Sequence, residues 1–339
     1  VPQPPFRLSV VVPTYNRVAR LRHVIEALAQ QTYPADAYEV VVVSDGSSDG
    51  TDRYLQTVRT PMRLRWFSQS NRGPAAARNA GVEQADGEFI VFIDDDVVAE
   101  PQLLAEHVRA HQEADGEVAV MGPLLTPEGF AMAPWVRWEQ EMLSKQYSAM
   151  LRGRWHPTAR QFYTGNASVR RSHILAAGGF DESFRRAEDV ELAYRLAARG
   201  VGFVFTMKAA AKHFAERSYR SWLDGAYAYG RNDARFARDR GQSWLLPVVH
   251  QEFGERHILA RALVRLCRGR PRIGSAAAAT LKLAADAASL IHAERAERAA
   301  YSGLFNLRYC SGLLDELGDP GFLFRRIAPP VEPVPGTQS

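Results

Sequence analysis

Four short apolar runs, spaced by polar loops and stretches of helical periodicity, limit the fold of this chain more than any other feature. They are "RLSVVVPTY" (7–15), the start of "YEVVVVSDGSSDGT" (38–51), "MRLRWFSQ" (62–69) and "EFIVFID" (88–94). Each is rich in β-branched or aromatic residues and bounded by turn formers, so each reads as a strand. Between them, "VARLRHVIEALAQQ" (18–31) sets Leu21, Val24, Ile25 and Leu28 at helical spacing. A second helix is expected from about Thr51 to Thr57, and a third, "PAAARNAGVEQA" (74–85), carries Pro74 at its first turn, where proline is favoured. Strand–helix–strand alternation of this kind builds an open, mostly parallel sheet flanked by helices. Ligands of such sheets bind beyond the carboxyl ends of the strands, where "SDGSSDG" and "DDD" both fall.

Further along, "VAVMGPLL" suggests another strand, and 134–152 a helix with exposed aromatics. Residues 165–184 read as a strand, a helix and a Gly-rich turn. "AEDVELAYRLAARG" (187–200) is a helix with Val190, Ala193, Tyr194, Leu196 and Ala197 on its apolar face and Gly200 as its stop, followed by a strand in "VGFVFTM" (201–207). From about 215 the chain is mainly helical. Its early aromatics, Trp222 and Tyr229 among them, belong either to the helical core or to the border of an acceptor cleft. "VPQPP" and "APPVEPVPGTQS" at the two ends are too proline-rich to pack as regular elements and are expected to be disordered.

With 339 residues, 46% hydrophobic and 24% charged, the chain has the composition of a globular enzyme with a sizeable core. Cys267 and Cys310 are its two cysteines, giving neither a disulfide framework nor metal-ligand spacing, which favours a reducing compartment. No charged-then-apolar leader is visible. The stretch closest to a membrane span, 275–294, carries Lys282 and Asp286 and reads as an Ala-rich helix. The expected location is cytoplasmic, or peripheral at the inner face of the membrane. A net charge of +4 tolerates an anionic ligand or surface without requiring one, and nothing calls for nucleic acid.

Asp94, Asp95 and Asp96 follow a buried strand directly. One reading is a cap for the helix in "AEPQLLAEHVRAHQ", for which a single Asp suffices. The other is a site for Mg²⁺ or Mn²⁺, hard ions that take one or two carboxylates and complete their shell with phosphate and water. Asp45 in "SDGSSDG" is either part of a turn or an acceptor for a base or ribose hydroxyl. Arg72 and Arg78, near a helix start, suit a diphosphate. Glu188 and Asp189 suit the first turn of a helix on dipole grounds, and equally suit orienting a hydroxyl and removing its proton. His213 is by default structural; beside the acidic triplet it could complete a metal shell.

Taken in order, "VVVPTYNR" (10–17), "VVVSDGSSDGT" (41–51), "NRGPAAARNAG" (71–81), "EFIVFIDDDVV" (88–98), "GNASVRRS" (165–172), "GGFDESF" (178–184) and "AEDVELAYRLAARG" (187–200) resemble the inverting, nucleotide-sugar-dependent glycosyltransferases of family 2. The resemblance covers roughly residues 7–215. It implies a GT-A fold, Rossmann-like, over residues 1–215, with a nucleotide-sugar half at about 7–100 and an acceptor half at about 101–215. A helical C-terminal region (216–328) and a disordered tail (329–339) would follow. It implies that Pro13, Tyr15 and Asp45 line the nucleoside pocket, that Arg78 lies near the diphosphate, and that "DDD" is the DxD motif. Asp94 would then face the ribose and Asp96 the metal, Mn²⁺ or Mg²⁺, with Asp95 on the nucleotide-sugar side without a defined task. Asp189 would be the general base, Glu188 its neighbour on the acceptor or donor sugar, and His213 a metal ligand found in only some relatives.

The implied reaction is hexosyl or glycosyl transfer from a nucleoside-diphosphate sugar to the hydroxyl of a carbohydrate, lipid-linked or small-molecule acceptor, with inversion. Two alternatives stand beside it. One is transfer to a polyprenyl phosphate at a membrane surface, suggested by the basic–apolar alternation of "ERHILARALVRLCRGRPR" (255–272). The other is a non-catalytic nucleotide-sugar-binding relative. Neither donor, acceptor nor oligomeric state is readable from the sequence.

Overall fold

Each of the four apolar runs forms a strand: β1 (Leu8–Thr14), β2 (Tyr38–Asp45), β3 (Arg63–Gln69) and β4 (Phe89–Ile93). They come from a computed structural model that describes residues 8–327, so the proline-rich ends, with the disorder expected of them, lie outside the described residues. The four strands pair in parallel in the order β3-β2-β1-β4. The helices between them are α1 (Val18–Ala29), α2 (Thr51–Thr57) and α3 (Pro74–Gln84). Central strands are apolar on both faces because helices cover both. Leu8, Val10, Val12, Val40 and Val42 share a cluster with Leu21, Val24, Ile25 and Leu28 of α1, all buried. Each such aliphatic side chain contributes about 1.5–3 kcal/mol on full burial. Val11 points to α3, where Gly81 permits the approach: a Cβ there would lie 2.4 Å from Val11 Cγ1.

Beyond β4 the chain adds β5 (Val97–Ala99), α4 (Leu103–Glu113), β6 (Val118–Met121), β7 (Leu124–Leu125), α5 (Pro134–Leu151), β8 (Asn166–Arg170), α6 (Arg171–Ala176), α7 (Glu188–Ala197), β9 (Gly202–Phe205) and β10 (Ala211–His213). Strand β8 runs antiparallel to β4 and β6, and β9 parallel to β6, completing the order β3-β2-β1-β4-β8-β6-β9. A small second sheet, β5-β10-β7, forms just past the end of β4. The fold is the GT-A type of α/β sheet with a helical C-terminal region.

A buried polar knot holds β8 in place. His107 of α4 meets Asn166 Oδ1 and Ser168 Oγ, each at 2.9 Å, and His111 meets Ser168 Oγ at 2.8 Å. Asn166 Nδ2 donates to the carbonyls of Pro123 and Ala209, tying β8 to the segments that lead into β7 and β10. Burial pushes His107 down to about 4 and His111 to about 3, so both are neutral hydrogen-bonding groups at physiological pH.

The chain separates into two compact units. The first comprises the described residues up to Ala131 together with Gln140–Ala215; the second comprises Met132–Glu139 and the described chain from Glu216 onward. The second contains α8 (Tyr219–Asp239), α9 (Leu245–Glu255), α10 (Ile258–Cys267), α11 (Pro271–Leu290) and α12 (Glu294–Leu317). Helices α8 and α12 cross at glycines: a Cβ on Gly230 would lie 1.9 Å from the Tyr309 carbonyl oxygen, and one on Gly312 2.0 Å from that of Tyr227. Glu316 then gathers Arg231, Arg235 and Arg238.

Of the two readings open for the early aromatics, Trp222 takes the helical core: it is 1% exposed and packs against Trp138, Tyr301 and Phe305. The exposure expected of the aromatics in the preceding helix is corrected. The aromatics of 134–152 are likewise largely interior, with Trp138 and Tyr147 buried, because large rings gain more by packing than their alternation with charged residues suggests. Among the described residues no helix is long and apolar enough to cross a membrane.

Candidate active site

The loop after β1 and the loop after β2 are built as one unit. Asn16 has a positive φ of 52°, and its side-chain oxygen accepts from the Ser48 amide at 2.7 Å. Asp49 accepts from the Val18 amide at 2.8 Å and from the Thr51 hydroxyl at 2.6 Å, so one carboxylate serves the starts of both α1 and α2. Asp45, at the end of β2, is buried and accepts from Gln69 Nε2 (2.7 Å), the Arg72 amide (2.9 Å) and the Gly73 amide (2.8 Å). Its carboxylate shapes the chain entering α3. Pro13 lies in β1 opposite Val43, and the Tyr15 ring is 50% exposed at the carboxyl end of the sheet.

The three consecutive aspartates do not cap a helix. They lead from β4 into β5, and α4 begins only at Leu103 with Gln102 at its N-cap. The three side chains diverge. Asp95 turns inward, taking the Thr14 hydroxyl at 2.8 Å and the Tyr15 amide at 3.4 Å; burial, partly offset by Arg17, pushes it up to about 6. Asp96 pairs with Arg17 on one oxygen and with His213 Nε2, at 3.5 Å, on the other. Burial raises its pKa, but His213 and Arg17 outweigh that and hold Asp96 below the ordinary carboxylate value. Strand β10 brings His213 there by pairing antiparallel with β5, His213 opposite Val97. Gln140 lies 3.2 Å from His213 Nδ1 and leaves Nε2 facing the aspartate.

Asp94 faces the other way. It accepts from Arg78 Nη2 at 2.7 Å, and Arg78 Nη1 donates to Glu188 at 2.7 Å. Arg78 is almost inaccessible, so the structure places it as a clasp between two carboxylates, with no open anion-binding face. The clasp brings the acids of β4 and α7 into one cluster. Asp189, next in α7, accepts from the Val190 amide at 2.8 Å. It retains some solvent access, yet the protein crowds its carboxyl. Desolvation and the neighbouring Glu188 charge, opposed by Arg78, push it up to about 7, poised for proton exchange near neutrality. Ala187, at the N-cap of α7, has a φ of 58°.

Several residues that shape the site carry no role in the sequence reading. Arg17 ends the "VVVPTYNR" stretch, and its charge is the readable signal. Asn79 both donates to the Phe180 carbonyl (2.9 Å) and accepts from its amide (2.7 Å), pinning the Gly-rich turn before α7. Arg72, read as a diphosphate candidate, pairs with Glu182 at 2.7 Å on that same turn. Thr14 and Gln140 gave no signal, since their roles arise from contacts across long sequence separations.

For a divalent cation, the residues that fit are Asp96 and His213. Among the described residues no group of three or more His, Cys, Asp or Glu side chains forms a complete cage.

Residues 9–175 match the family described as glycosyl transferase family 2. That segment, just under half of the chain, is similar to glycosyl transferase family 2. The match agrees with the ordered motifs from β1 to β8. Validoxylamine A glucosyltransferase of Streptomyces hygroscopicus subsp. jinggangensis (strain 5008) is 34% identical, the alignment taking in 57% of this chain and 52% of that protein. The uncharacterized glycosyltransferase YfnE of Bacillus subtilis (strain 168) is 27% identical over 58% of this chain and 62% of its own. The chain thus spans about half the length of the first curated relative. Among solved structures, a mannosyltransferase from Pyrobaculum calidifontis, in complex with GDP-Man and Mn²⁺, superposes with a TM-score of 0.60 at 21% identity. It covers 92% of this chain and 87% of that one, a likeness of fold.

Proposed function

We propose that this chain transfers a hexose from a nucleoside-diphosphate sugar to an acceptor hydroxyl in one inverting displacement. The observation that carries the reading is the clasp Asp94–Arg78–Glu188. It sets a carboxylate pushed up to about 7, Asp189, beside the acids that end β4, within a single cluster. Relatives named as glycosyltransferases support the reaction class.

In this reading Pro13 and Tyr15 border the nucleoside, and Asp45 shapes that pocket through the 72–73 backbone it holds. Asp94 is kept in position by Arg78 and faces the ribose. Asp95 fixes the turn after β1. Asp96 and His213 would hold Mn²⁺ or Mg²⁺, which when bound neutralises charge on the leaving diphosphate. Asp189 orients the acceptor hydroxyl and takes its proton as the oxygen bonds to the anomeric carbon. The bond from that carbon to the diphosphate oxygen breaks on the opposite face, so the centre inverts. A diphosphate leaves without protonation, and one carboxylate base is therefore enough, unlike the acid–base pair needed to expel an alkoxide. Desolvation, reinforced by like-charge repulsion from Glu188, raises the Asp189 pKa toward neutrality.

The test is a donor screen by nucleoside diphosphate release with Mn²⁺ or Mg²⁺, beginning with glucose donors because of the 34% identical relative. Asp189→Ala and Asp96→Ala should each lower turnover by at least about 10²-fold. Undiminished activity in Asp189→Ala would remove it as the base. Failure of every nucleotide sugar to be turned over or bound would instead favour a non-catalytic relative.

A further inference from the structure

From Arg256 to Ala285 the chain carries seven Arg and Lys residues and no Asp or Glu. The segment covers α10, the turn after it and most of α11. Elsewhere in the helical unit arginines find carboxylates, as Arg137 does on Glu297 and Arg231 on Glu316. Here Arg261, Arg265, Arg268, Arg270 and Arg272 pair with no acidic side chain among the described residues. Arg265 and Arg268 lie over the Phe324 ring, a contact with a ring face and not with a carboxylate.

The same surface is apolar where solvent should select polar residues. Ile258, Leu259 and Leu266 are 65%, 72% and 54% exposed, whereas Val264 and Cys267 turn inward. Leu259, Ala262 and Leu266 recur at intervals of three and four, which places them on one outward stripe of α10. An outward leucine stripe gains nothing for the fold. Flanked by unpaired guanidinium groups, it has the chemistry of a helix lying in a bilayer interface, its apolar side chains in the acyl boundary and its arginines on lipid phosphates.

We propose that α10 and the turn into α11 dock this protein on an anionic lipid bilayer. Charge complementarity selects that occupant: the exposed, unpaired Arg265, Arg270 and Arg272 match a sheet of phosphodiesters. The inference is independent of the catalytic reading, because these residues lie in the helical unit and none belongs to the acid cluster.

The experiment is co-sedimentation of the full chain with vesicles of phosphatidylcholine alone and with equal parts phosphatidylcholine and phosphatidylglycerol. Binding is expected to the anionic vesicles only and to weaken as salt rises. Arg265→Gln, Arg270→Gln and Arg272→Gln should each reduce partitioning about fivefold. Leu259→Glu combined with Leu266→Glu should abolish it, with an unchanged circular dichroism spectrum to show that the helices persist. Equal binding to neutral vesicles, absence of binding, or full binding by the double Glu variant would overturn the proposal. So would a dimer that ignores vesicles and is broken by the same double substitution, since the stripe would then face a second copy of the chain.

Discussion

Replacing Glu188 with Gln should move the acid limb of the pH–rate profile to lower pH. Asp189 is pushed up from 3.8 to about 7 by desolvation and by the Glu188 charge, while Arg78 pulls the other way. At an effective dielectric of about 20, a unit charge about 8 Å away is worth roughly 2 kcal/mol. One pH unit corresponds to 1.36 kcal/mol, so losing the repulsion should lower the Asp189 value by about one to two units. The substituted amide would still present an oxygen to Arg78 Nη1, which now meets Glu188 at 2.7 Å, so the clasp survives. With one carboxylate fewer to neutralise it, Arg78 acts more strongly on Asp189, in the same direction. Asp189 must be ionised to accept a proton. The rate of nucleoside diphosphate release therefore rises with pH through an inflection near 7 in the native protein and through a lower one in Glu188→Gln. The assay is kcat/KM across about pH 5 to 9. An inflection that stays in place or moves upward would refute the assignment of Asp189 and the coupling that sets its pKa.

Three further outcomes follow from the geometry. Arg17→Gln removes the cation paired with Asp95 and Asp96, so Mn²⁺ affinity measured by electron paramagnetic resonance should rise by about fivefold or more; an unchanged affinity would mean that Arg17 does not compete. His107 is held at about 4 in the fold, below its unfolded value near 6.5. Folding stability should thus be fully present above about pH 6.5 and fall toward pH 4, by up to about 1.4 kcal/mol per unit for that group. Urea titrations across this range should show the slope, and His107→Gln should remove the share of that group and leave the share of His111. Gly312→Ala would favour an isolated helix by about 1 kcal/mol, but its Cβ would meet the Tyr227 carbonyl at 2.0 Å. The clash should win, with a net loss of about 1–3 kcal/mol and a lower thermal midpoint.

How much was legible depended on whether a property is local. The strands and helices of the first hundred residues follow from apolar periodicity and turn residues, and the expected helix at 51–57 coincides with α2. The later aromatics left two readings open because burial is decided by the neighbouring helices: Trp222 is enclosed by Trp138 and by Tyr301 and Phe305 of α12, residues far away in sequence. The acids were visible as candidates from their position after a buried strand. The alternative of helix capping by Asp94–Asp96 fell only when β5 was seen to intervene before α4.

The chain by itself determined the parallel α/β sheet and the clustering of polar loops at one of its ends, because hydrophobic period and turn chemistry act within a few residues. It also carried the likeness to the family, through motifs whose order survives without coordinates. Tertiary structure alone decided what each acid does. Asp95 became an internal prop because Thr14 and Tyr15 lie beside it. Asp96 gained His213 through the β5–β10 pairing. Asp94 and Glu188, separated by almost a hundred residues, came to share Arg78. A carboxylate's charge, burial and partner are set by the field of everything packed around it, and that field exists only once the sheet and α7 have closed on one another.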